Sequence, residues 1–144
     1  MIDLERRRLR LTVGQSERSA AVFAPREVPD RALPLVLNLH GSGSGPTEQM
    51  RVSGLEAVAG RYDFLVAAPH GGLRSGAGHA WNLQEDEAYL LALIDALADS
   101  GWTDPRRVYA TGMSGGARMA CRLAANHPGR LAGIAPVAGL RAGA

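Results

Sequence analysis

Gly112-Met113-Ser114-Gly115-Gly116 sets one serine between glycines two positions away on either side. The run follows a β-type segment, Arg107 to Thr111, and precedes a helical one, Ala117 to Asn126, so the pattern predicts a sharp strand-to-helix turn. A serine at such a turn has its hydroxyl lifted clear of the sheet edge, and the flanking glycines let the backbone bend that tightly. The helix that starts there aims its first N–H groups and its dipole at the same place, which suits the Gly115 N–H to a developing oxyanion. Nucleophilic attack on an acyl carbon is the chemistry this arrangement can do. The competing reading makes Ser114 a helix cap and the glycines a packing device.

His40-Gly41-Ser42-Gly43 closes another apolar run, Leu35 to Leu39, where glycines would permit close approach of backbone to a substrate and a second oxyanion donor. The rival is a phosphate-cradling loop. Gly41 to Gly45 lacks the spacing of a dinucleotide fingerprint, and a P-loop needs a lysine, of which this chain has none.

These two loops need strands to carry them. Arg8 to Val13 and Ser19 to Ala24 alternate polar and apolar residues and predict an antiparallel hairpin, with Gly14 to Glu17 as its turn. Leu35 to Leu39, Phe64 to Ala68, Arg107 to Thr111 and Leu131 to Ala138 are short apolar runs of the kind buried on both faces of a parallel sheet. Between them, helices are expected from Thr47 toward Arg61, from Glu85 to Asp99, and from Ala117 to Asn126. Strand alternating with helix defines an α/β fold, one mostly parallel sheet with flanking helices, in a single domain over residues 1–144.

Composition narrows the function. All sixteen basic residues are arginine, they are scattered apart from Arg6-Arg7-Arg8 and Arg10, and only seven aromatic residues are present. That is no footprint for nucleic acid. One cysteine, Cys121, and four separated histidines give no metal-ligand spacing, so no metal is expected. No apolar run reaches the roughly 18 residues a membrane helix needs, and the charged amino terminus has no apolar block behind it, so a cytoplasmic protein without membrane contact is expected.

Together with the motifs above, Val36-Leu37-Asn38-Leu39-His40-Gly41, Trp81-Asn82, Asp86, Asp104 to Gly116, and Ala135-Pro136-Val137-Ala138-Gly139 resemble the polyhydroxybutyrate depolymerase and feruloyl esterase branch of the α/β-hydrolases. The likeness runs over nearly the whole chain. It implies ester hydrolysis without a cofactor on a small-molecule or polymeric ester. By it, Ser114 matches the nucleophile, Ser42 and Gly115 match the oxyanion donors, and His40, Gly41, Gly112 and Gly116 match the supporting loops. Cysteines that secreted members often carry are replaced here by Ser42 and Ala80, which fits a reducing compartment.

In that fold the triad runs serine, acid, histidine. The 30 residues after Ser114 hold no aspartate or glutamate and one histidine, His127, which ends the helix that Ser114 begins. At 1.5 Å per residue it lies roughly 20 Å away and cannot be the base. His40 could approach Ser114 from a neighbouring strand, although the resemblance gives it a loop-shaping role. His70 and His79 read as surface residues, and Asp86, Asp95 and Asp99 as dipole partners, caps or solvated face. The expectation is the nucleophile half of a hydrolase without its acid and base, hence weak turnover. Three origins fit it: an incomplete gene, one half of a two-polypeptide enzyme, or a shortened descendant retained to bind a ligand or partner. The uncharged run from Leu131 to Leu140 would leave an apolar edge strand prone to self-association or to pairing with a complementing half.

Overall fold

A computed structural model describes residues 2–139. Six strands form one sheet: β1 (Leu4–Val13), β2 (Ser16–Pro25), β3 (Leu33–Leu39), β4 (Leu65–Pro69), β7 (Thr103–Met113) and β8 (Gly133–Val137), in the spatial order β1-β2-β4-β3-β7-β8. The first two pair antiparallel, and β2 pairs antiparallel with β4. From β4 onward every pairing is parallel. The α/β class and the mostly parallel sheet are those expected from the alternation of elements.

Helices cover both faces. On one, α3 (Glu85–Asp99) and α4 (Gly115–Asn126) bury Leu90, Leu93, Ile94 and Leu97 with Met119 and Leu123 against Leu35, Leu37, Leu65, Ala67 and Val108. The α3 residues recur at the spacing that puts them on one helical face, and burying each contributes about 2 kcal/mol. On the other face, α1 (Pro46–Ser53) and α2 (Leu55–Tyr62) close a smaller cluster of Phe23, Met50, Ala59, Val66 and Ala68. Among the described residues no helix is long and apolar enough to cross a membrane.

One local expectation is corrected and one element is added. The single helix from Thr47 to Arg61 is two helices, because Gly54 adopts a left-handed conformation (φ 65°) and its N–H caps the Met50 carbonyl, so the axis breaks there. The glycine-rich stretch after His70, between the expected strand Phe64 to Ala68 and the expected helix from Glu85, holds an element that the sequence reading does not announce. It folds as a second, two-stranded sheet of β5 (Leu73–Ser75) and β6 (Gly78–Ala80), turning at Gly76 with φ 59°. Three-residue strands carry too little pattern to stand out in a sequence.

Candidate active site

β3 and β7 are adjacent in the sheet and run parallel, with Leu39 opposite Gly112, so the loops leaving their carboxyl ends meet. At the end of β7 the chain turns into α4 through Ser114, whose backbone sits at φ 54°, ψ −110°. A non-glycine residue is rarely held there, and the strain costs on the order of 1–3 kcal/mol. The turn is held from both sides. Ser114 N–H donates to the Val137 carbonyl of β8 at 2.9 Å, and the Ser114 carbonyl accepts from Arg118 at 3.1 Å. Its side chain is exposed and makes no hydrogen bond with a described residue.

The glycines around it are fixed by contact. A Cβ on Gly116 would stand 2.1 Å from the Leu39 carbonyl oxygen, and one on Gly112 would stand 2.7 Å from both that oxygen and the Gly116 carbonyl carbon. Both would strike backbone, which cannot swing aside. Gly139 belongs to the same knot, since its Cβ would lie 2.3 Å from the Ser114 carbonyl oxygen. The elbow therefore exists only where three segments approach without side chains between them.

The His40–Ser42 loop lies directly against this turn. A Cβ on Gly41 would be 3.7 Å from the Ser114 Cβ, and one on Gly115 would be 2.8 Å from Ser42 Oγ and 3.5 Å from the Ser42 nitrogen. No described group accepts from the Ser42 N–H, and the Gly115 N–H belongs to the first turn of α4, where no preceding helical carbonyl exists to receive it. Two unengaged donors thus sit beside an exposed hydroxyl.

His40 is fully buried and fixed. Its ring stacks on Trp81 with centroids 4.9 Å apart, and the Trp81 indole N–H donates to the His40 carbonyl at 2.8 Å. Gly71 N–H donates to Nε2 at 2.9 Å, so Nδ1 carries the proton and donates to the Gly41 carbonyl at 2.7 Å. Burial holds its pKa below the ordinary value, with His79 and His70 adding to the effect. With both nitrogens engaged by backbone, His40 shapes the loop and has no nitrogen left for Ser114. His127, at the far end of α4, faces Glu87 at 3.3 Å. No described imidazole bonds to Ser114.

Asp86 departs from its expected place on a solvated helix face. It is fully buried, accepts from the N–H groups of Gly72 (2.9 Å) and Asn82 (2.7 Å), and pairs with Arg18 at 2.8 Å. Arg18 also donates to the His70 carbonyl at 2.7 Å and lies over the Tyr89 ring. These bonds pin the turn that presents Gly71 to His40. The helix-dipole argument accounts for an acid at this position but not for its burial, which depends on an arginine 68 residues earlier. The Asn82–Asp86 spacing was the one local signal. His70 and His79 likewise are half-buried, not surface residues, because the β5–β6 hairpin folds back and brings their rings to 4.6 Å.

A family model described as Esterase PHB depolymerase matches residues 18–144. A Nocardia uniformis subsp. tsuyamanensis protein that bears an esterase name, NocK, is 39% identical over 117 residues, covering 74% of this chain and 33% of that protein. Poly(3-hydroxyalkanoate) depolymerase C of Paucimonas lemoignei is 30% identical over 131 residues, covering 80% and 30%. The chain thus spans about a third of the length of these relatives. Among solved structures, an S-formylglutathione hydrolase from Agrobacterium tumefaciens superposes with a TM-score of 0.79 at 16% identity, covering 94% of this chain and 58% of that one. A ferulic acid esterase gives 0.73 at 12% identity, covering 93% and 59%. At these identities the structural likeness is one of fold.

Proposed function

Since the chain belongs to the Esterase PHB depolymerase family, we propose that it carries the nucleophile and oxyanion donors of a serine carboxylic-ester hydrolase. Ser114 attacks the ester carbonyl, its Oγ forming the new bond and its proton passing through water to the alcohol oxygen that departs, and water then hydrolyses the acyl-enzyme, releasing the acid and returning a proton to Oγ. The N–H groups of Ser42 and Gly115 receive the oxyanion of the tetrahedral intermediate. The observation that carries this reading is the exposed Ser114 on its strained turn, with the unengaged Ser42 amide packed against the next residue. The substrate is a small-molecule or polymeric ester, as the names of the relatives, a polyhydroxyalkanoate depolymerase and an acetylxylan esterase among them, suggest. No cofactor enters the reaction.

The described residues place no imidazole to take the Ser114 proton. An oxyanion hole and binding without a base still leave about 10³- to 10⁴-fold over water. Slow labelling by a fluorophosphonate is therefore the expected result, with mass spectrometry locating one adduct on the Ser114 peptide. A folded protein that stays unlabelled, or is labelled elsewhere, would favour a ligand-binding role for this sheet over catalysis.

Ser42 provides a sharper check. Its proposed role belongs to the backbone N–H, so Ser42→Ala keeps the labelling rate within about twofold, while Ser42→Pro, which removes the donor, lowers it about 100-fold. Equal damage from the two substitutions would assign the role to the hydroxyl.

A further inference from the structure

Arg6, Arg8 and Arg10 project from the same side of β1, as alternate residues of a strand must, and all three are exposed. Arg10 is 4.0 Å from Glu17, and Arg6 lies over the Phe23 ring. Arg8 has no ion-pair, hydrogen-bond or ring partner among the described residues. This side of β1 borders a cleft of about 550 Å³ whose walls include Arg6, Arg8, Ser19, Thr47, His70 and His79, and no carboxylate lines it. Glu17 shares a neighbouring hollow with Arg8, Arg10 and Arg18 and stands 4.0 Å from Arg10, and Glu48 pairs with Arg51.

The cleft does not stop at His79. A second one, of about 590 Å³, shares Pro46, Thr47 and His79 with it and continues past Ser44 to Ser42, the residue packed against Gly115 beside Ser114. Each is of ligand size, and together they make a groove that runs from Ser42, beside the elbow, past Glu48 to Arg8, a guanidinium without an ion-pair partner among the described residues. At the Arg8 end, where Arg6, Arg7 and Arg8 line the wall with no carboxylate, an arginine without a carboxylate partner among the described residues focuses its field into the groove and offers two parallel N–H donors in the geometry a carboxylate accepts.

We propose that the Arg8 end of this groove is a carboxylate-binding subsite, supported by Arg6, for an acidic ester whose scissile carbonyl lies at Ser114. The position of the carbonyl rests on the hydrolase reading; the anion site does not.

Glutarate and its neutral dimethyl ester, titrated into isotope-labelled protein and followed by NMR, separate the two. Glutarate is expected to shift the Arg8 and His79 signals saturably, and dimethyl glutarate to leave them in place. Arg8→Gln should weaken glutarate about tenfold, while Arg8→Lys, which keeps the charge, recovers part of the loss and shows that the strand is intact. Equal binding of the two ligands, or glutarate affinity unchanged in Arg8→Gln, would overturn the subsite. In kinetics, with β1 four strand spacings from β7, the ester must be long: Arg8→Gln should raise KM for p-nitrophenyl hydrogen dodecanedioate and not for p-nitrophenyl dodecanoate. Arg8-dependent binding of glutarate with neither ester hydrolysed would keep the subsite and remove the hydrolase.

Discussion

Replacing Ser114 by alanine is expected to eliminate the covalent fluorophosphonate adduct completely while leaving stability within about 0.5 kcal/mol of the parent. The hydroxyl is exposed and bonds to no described residue, so its loss opens no cavity and strands no partner. Alanine suffers the same steric conflict as serine at φ 54°, so the strained turn is retained. Glycine does not, and Ser114→Gly should stabilise the fold by about 1 kcal/mol while abolishing the adduct equally. Adduct formation is the measurement to use. Groups of a nucleophile–base unit act non-additively, and where no base is engaged, removing the serine changes turnover of a labile ester little beyond what the missing base already costs. Intact-mass analysis after labelling, with urea denaturation on the same three proteins, reads both effects. A persistent adduct in Ser114→Ala would remove the nucleophile assignment, and a large destabilisation would mean the side chain supports structure.

The second large effect is on stability. Asp86→Ala should cost about 3–5 kcal/mol, the range for removing one member of a buried ion pair. Arg18 would keep a mostly buried guanidinium with only the His70 carbonyl and the Tyr89 ring for company, and the Gly72 and Asn82 N–H groups would lose their acceptor. A domain of this size has roughly 5–15 kcal/mol in total, so the variant approaches unfolding under mild conditions. Fluorophosphonate labelling should fall with it, because the turn that Asp86 pins also presents Gly71 N–H to His40. The urea midpoint of the variant tests this, and a loss below about 1 kcal/mol would show that solvent reaches the pair and screens it.

Much of this was legible in the residues. The α3 boundaries follow from its apolar spacing and acidic first turn, and the central strands from short apolar runs that end in glycine or proline. The meeting of the Ser42 and Ser114 loops follows from both being placed after neighbouring parallel strands. What escaped was set by partners far along the chain. Asp86 reads as a dipole acid until Arg18 is brought over it, and His70 and His79 read as surface residues until the short β5–β6 hairpin folds one onto the other. Gly54 shows the same limit at short range: a glycine within a helical pattern can be tolerated or can end the helix, and the left-handed turn that decides it leaves no other mark on the sequence.

The backbone knot at the elbow also bears on how the chain reaches its native state. Gly116 closes onto the Leu39 carbonyl, a contact between residues more than seventy positions apart, and it does so across two parallel strands joined by a crossover that contains β4 and α3. No local hairpin can form that turn in advance, since the surface it bends around does not exist until β3 has docked beside β7. Contacts of such long sequence separation place a domain among the slower folders, in the range of milliseconds to seconds. The strained conformation of Ser114 is therefore acquired with the assembled sheet, and a chain still partly folded presents that serine as an ordinary, relaxed hydroxyl.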